Sequence, residues 1–114
     1  MSSSVLRWPD APTVAAALRR WAERAAAERP ELRRVGYAGS YARGDWGVGS
    51  DLDVVLVVED ARLPFWRRPV EWDLTGLPVP ADVLVYTEAE WRALDPARLI
   101  ARVLAREVTW VWPP

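Results

Sequence analysis

The chain has neither cysteine nor histidine among its 114 residues. The first absence excludes a disulfide, a thiolate metal site and a cysteine nucleophile. The second removes the commonest general base and the commonest transition-metal ligand. Any metal must then be held by oxygen, which favours Mg²⁺ or Mn²⁺. Lysine is absent too: all 15 basic residues are arginine, and 16 acidic residues bring the net charge to −1. That balance lacks the positive excess of a nucleic-acid binder, so nucleic acid is not an expected partner. No apolar run approaches the roughly 20 residues of a membrane span, and the start lacks a signal-peptide pattern. The expected setting is cytoplasmic, without a membrane partner.

What is present is 51% hydrophobic, enough to build a core. The length suits one domain over residues 1–114, with residues 1–8 as a flexible start, and leaves no room for a separate substrate-binding domain. Asp10 is placed to cap a helix that begins at Ala11–Pro12, where proline is tolerated. Within residues 13–28, Val14, Ala17, Leu18, Trp21 and Ala25 share one face at helical spacing, and Pro30 ends the run. Residues 32–38 read as a strand, 41–45 as one helical turn, and 51–58 as the clearest strand. The last is apolar after Asp53, the pattern of a central strand covered on both sides. Prolines 64, 69, 78 and 80 argue against a long helix in 62–80; a short helix or extended piece is expected near 65–72, with a turn at Thr75-Gly76. Residues 81–86 form a third strand. Thr87 and Glu90 form a capping box for a short helix to Ala93. A last helix is expected from Asp95-Pro96 to Arg106, then a short edge strand over 108–112. The order implies an α+β fold, a small mixed sheet of three or four strands backed by helices.

The stretch Y-A-G-S-Y-A-R-G-D-W-G-V-G-S-D-L-D-V-V-L-V-V-E, residues 37–59, carries the chemistry. Asp51 and Asp53, at i and i+2 on a strand, would face the same side of the sheet. Two close carboxylates repel unless a proton or cation lies between them. Gly39-Ser40 closes the preceding strand, and a glycine-led turn with free N–H groups can cradle phosphate. Alone, an Asp-x-Asp pair is often a solvated strand end and a Gly-Ser turn is commoner still. Together with Asp82, near the start of another apolar strand, they suggest a phosphate site with oxygen-held metal ions that bridge phosphates and activate a hydroxyl.

Gly39-Ser40-Tyr41-Ala42-Arg43-Gly44 through Ser50-Asp51-Leu52-Asp53 resembles the G-S-x-A-R-G…S-D-x-D signature of the minimal nucleotidyltransferases, small members of the DNA polymerase beta-like nucleotidyltransferase superfamily. With the flanking strands the resemblance covers most of residues 32–86, and the closing I-A-R-V-L-A-R-E-V-T-W-V-W is similar to the family's last helix and short apolar end. The resemblance implies a nucleotidyltransferase fold and the following roles. Gly39 and Ser40 would bind the β- and γ-phosphates through backbone N–H and hydroxyl. Asp51 and Asp53 would hold two Mg²⁺ ions, or Mn²⁺. Asp82 would complete the second metal site and orient or deprotonate the acceptor. Arg43 is open between contacting phosphate and fixing the loop through Asp45 or Asp51. Ser50 is expected to cap or orient the loop of the nucleotide site.

The resemblance further implies transfer of a nucleoside monophosphate, AMP from ATP, to a hydroxyl of a partner protein. The setting it implies is an antitoxin paired with a small helical ribonuclease toxin. The chain has no helical second domain to hold an acceptor, so another chain must supply it, in a hetero-complex or a homo-oligomer. The alternative is a nucleotide-binding or partner-binding module with little or no turnover.

The eight tryptophans divide. Trp21 and Trp91 are expected in the core. Trp46 is open between stacking on a base and anchoring its loop. Trp66 and Trp72, around Arg67 and Arg68, would form an acceptor or partner surface. Trp110 and Trp112 would form an edge or interface patch.

Overall fold

The computed structural model describes residues 8–95, 97–98, 103–104 and 106–114. Helix α1 (Ala11–Glu28) starts as the sequence predicts: Asp10 Oδ1 accepts from Thr13 N–H at 2.9 Å, with proline in the first turn. Strand β1 (Leu32–Ala38) follows, then the single turn α2 (Ser40–Arg43) and strand β2 (Leu52–Val58). A 3₁₀ helix (Phe65–Glu71), strand β3 (Ala81–Thr87), helix α3 (Glu88–Arg92) and strand β4 (Thr109–Trp112) complete the order. The sheet runs β3-β2-β1-β4, with β1 antiparallel to β2 and β4 and β2 parallel to β3. This is the mixed α+β sheet the sequence implies, and the apolar strand β2 is central in it. The expected last helix lies partly outside the described residues; 103–104 and 106–107 are helical.

Alternation along β2 divides the interior into two cores. Leu52, Val54, Leu56 and Val58 pack with Val14, Leu18, Trp21 and Ala22 of α1 in a large cluster. Trp8, within the expected flexible start, packs against this cluster, while residues 1–7 lie outside the described residues. The opposite face has a smaller buried cluster of Ala38, Val55 and Leu104, flanked by Tyr86, Trp91, Val108 and Trp110. Gly36 makes that second packing possible: a Cβ there would lie 2.7 Å from Val108 Cγ1 and 2.8 Å from Trp110 Cε3.

The proline- and tryptophan-rich connector is tied down on both sides. Trp72 is buried in the α1 core, tilted against Trp21 at 6.2 Å, and Trp21 Nε1 donates to the Asp73 carbonyl at 2.8 Å. Arg68 is buried as well, its guanidinium donating to the Leu63 and Val85 carbonyls and to both oxygens of Glu90. Trp66 stays 77% exposed. Trp66, Trp72 and Arg68 therefore do not make the single partner surface expected from their order, because the connector folds back and buries two of the three. Trp110 and Trp112 also separate, packing against different clusters. A register irregularity between Val35 and Gly36 breaks the alternation that would have put them on one face.

Candidate active site

β1 delivers the chain to Gly39, whose φ of +74° lies in the left-handed region. A Cβ at this position would collide with Asp53 Oδ2, so only glycine lets the backbone come this close to the carboxylate. Ser40 then opens α2, and Gly44, at φ +87°, ends it. The loop beyond is braced from within. Tyr41 is buried, donates its hydroxyl to the Pro9 carbonyl at 3.1 Å, and stacks on Trp46 at 5.5 Å between ring centroids. Trp46 is thus a loop anchor here. Ser50 Oγ accepts from Gly47 N–H at 2.8 Å, closing the turn that leads into β2.

The parallel pairing of β2 and β3 sets Asp53 directly beside Asp82. Gly39, Arg43, Asp53 and Asp82 line one cleft of about 320 Å³. Asp82 also borders a second cleft of about 740 Å³ between β3 and connector residues 72–80. Asp51 is exposed and lies one residue before β2, and neither it nor Ser50 lines the first cleft.

Asp53 still reaches solvent, but its partial desolvation in the cleft is the first reason that its carboxyl titrates above its ordinary value, followed by the negative charges of Asp82, Asp51 and Glu107; Arg43 alone opposes them. Among the described residues no three acidic side chains sit close enough to hold an ion outright. The donor set still fits a hard divalent cation: Asp53 and Asp82 are paired across β2 and β3 and line one cleft, and the repulsion of Asp82 on Asp53 is a cost a cation would relieve.

Glu107 is the site residue that the sequence reading misses. Its Oε2 accepts from Gly39 N–H at 3.0 Å and its Oε1 from Arg43 Nη1 at 2.8 Å. These bonds, the Gly39 N–H first, hold its carboxyl below the ordinary glutamate value against its partial burial. Arg43 Nε donates to Asp45 at 3.2 Å, so this arginine spans two carboxylates and does not meet Asp51 in an ion pair. Only the pairing of β4 with β1 brings residue 107 to residue 39, and that register is not written in local spacing.

Comparison with known proteins places the chain in a family. Residues 19–108 match the nucleotidyltransferase domain family, and the chain belongs to that family. A crystal structure of a protein from Sulfolobus solfataricus, provisionally assigned as a nucleotidyltransferase, superposes with a TM-score of 0.59 at 23% identity, covering 93% of this chain and 89% of that one. The crystal structure of a toxin–antitoxin with AMP-PNP aligns with a TM-score of 0.55 at 15% identity, over 82% of this chain and 72% of that one. At these identities the two structures share the fold. No curated protein matches the chain. Among the described residues no helix is long and apolar enough to cross a membrane.

Proposed function

We propose that this single domain transfers a nucleoside monophosphate, AMP from ATP, to a hydroxyl of a partner protein in the cytoplasm. The observation that carries the reading is the pairing of Asp53 with Asp82 beside the left-handed Gly39 turn. Gly39 and Ser40 offer N–H and hydroxyl donors for the β- and γ-phosphates, with Arg43 at the same cleft. Asp53, Asp82 and the flanking Asp51 would hold Mg²⁺ or Mn²⁺, which when bound neutralises phosphate charge and lowers the pKa of the attacking hydroxyl. With no histidine in the chain, Asp82 is the base placed to orient that hydroxyl and accept its proton. Because Asp82 borders both clefts, an acceptor can approach it from the connector side while the nucleotide lies on the Gly39 side. In this reading the acceptor hydroxyl belongs to another chain. The neighbour crystallised as a toxin–antitoxin with AMP-PNP supports an adenine nucleotide and a toxin as partner, and the family resemblance adds that such a toxin is small and helical.

A second reading, nucleotide or partner binding with little turnover, is favoured by the position of Asp51, which is exposed and outside the cleft. One assay separates the two: protein, labelled ATP, Mg²⁺ and a candidate helical partner. Label on the partner with the wild type and none with Asp53→Asn supports transfer. Equal labelling by both proteins removes Asp53 from the reaction, and no labelling leaves the binding reading.

A further inference from the structure

Two of the donors that the nucleotidyltransferase reading gives to phosphate are held by one carboxylate. Glu107 takes Gly39 N–H on Oε2 and Arg43 Nη1 on Oε1, at 3.0 and 2.8 Å. The sheet brings the two segments together. β1 and β4 pair Gly36 with Trp110 and Tyr37 with Thr109, and Glu107 lies in the helical residues just before β4. Val108 N–H donates to the Leu104 carbonyl at 3.1 Å where the helical residues give way to β4. The Glu107 side chain is only 15% exposed, against 51% for Arg43, and it lines the same cleft as Asp53 and Asp82.

A carboxylate and a phosphate present the same thing to these donors, a pair of anionic oxygens matched to an N–H and a guanidinium edge. The single N–H of Gly39 serves one of them at a time. We propose that Glu107 is an internal competitor for the donor phosphate: the triphosphate binds by displacing this carboxylate from Gly39 and Arg43, so Glu107 sets the affinity of the phosphate site. The proposal rests on the nucleotidyltransferase reading. It differs in sign from a bracing role, in which loss of Glu107 would disorder the donors and weaken phosphate binding.

Calorimetry of the full chain with inorganic tripolyphosphate and with ATP, each with Mg²⁺, tests it. Glu107→Gln keeps the size of the side chain and an acceptor for Gly39 but gives up the charge that holds Arg43. Tripolyphosphate should bind this variant about fivefold more tightly, the scale of removing one part-exposed charge pair. Unchanged or weaker binding in the variant, with the wild type still binding ATP, overturns the competition alone. Failure of the wild type to bind either compound overturns the nucleotide reading and this proposal with it. Carbodiimide labelling of the wild type is a second measurement that does not depend on the variant folding. Labelling of Glu107 should rise when tripolyphosphate is added, and unchanged or reduced labelling overturns the proposal.

Discussion

The face of the sheet under α1 and the face opposite are built from alternate residues of the same strand, yet they differ in kind. Under α1 the β2 residues are Leu52, Val54, Leu56 and Val58, closed over by a helix and by Trp72, Leu74, Leu77 and Val79. On the other face Asp53 precedes Val55, and the buried cluster is small. The Asp53 carboxyl there is pushed up by partial desolvation and by three like charges. The contrast teaches a division of labour. One face supplies the stability, which lets the other hold charges that oppose folding. A short strand can serve both because its alternation keeps the dry core and the charged cleft a backbone apart.

The strongest way to break the comparison is Asp53→Asn. Transfer should fall about 10²–10³-fold, as on losing a group that stabilises transition-state charge, while the melting temperature holds or rises because a repelled carboxylate is gone. A clear drop in melting temperature would contradict the claim that this face carries a cost. Next, Leu18→Ala should cost about 2–5 kcal/mol in denaturant unfolding, because Leu18 is fully buried in the α1 core. Leu104→Ala on the smaller cluster should cost clearly less, and equal losses would erase the asymmetry. Arg68→Met should cost about 2 kcal/mol by chemical denaturation, since it leaves the Leu63 and Val85 carbonyls without their donor.

The smallest effect is in pH. Arg68 holds the Glu90 carboxyl below its ordinary 4.5, with a further contribution from Thr87 N–H. A depressed folded value means the stabilisation is whole above 4.5 and is lost as pH falls through the folded value. The raised Asp53 works in the opposite sense: its cost appears as pH rises past the ordinary 3.8 and is relieved in acid. Urea midpoints measured from neutral pH down through this range should therefore show less acid loss in Glu90→Gln than in wild type. In Asp53→Asn the acid loss should be greater, because the relief is gone.

Much of this was legible from residue patterns. The helical spacing of Val14, Leu18 and Trp21 gives α1 and its buried face, and the apolar run after Asp53 gives the central strand. The Gly-Ser turn and the aspartates mark the cleft because their roles depend on local backbone geometry. What was hidden depends on contacts distant in sequence. Glu107 reaches Gly39 only through the β4 register, Trp72 is buried only because the connector folds back, and one strand irregularity sends Trp110 and Trp112 apart. Asp51 stands one residue before β2, and its charge still adds to the upward shift of the Asp53 carboxyl.

The most direct test of the central claim is a crystal of the protein with a non-hydrolysable ATP analogue and Mn²⁺, the ion located by its anomalous scattering. The account predicts an ion bound by Asp53 and Asp82, with the phosphates on Gly39 and Arg43. An ion bound elsewhere, or phosphates seated away from the Gly39 turn, would contradict it.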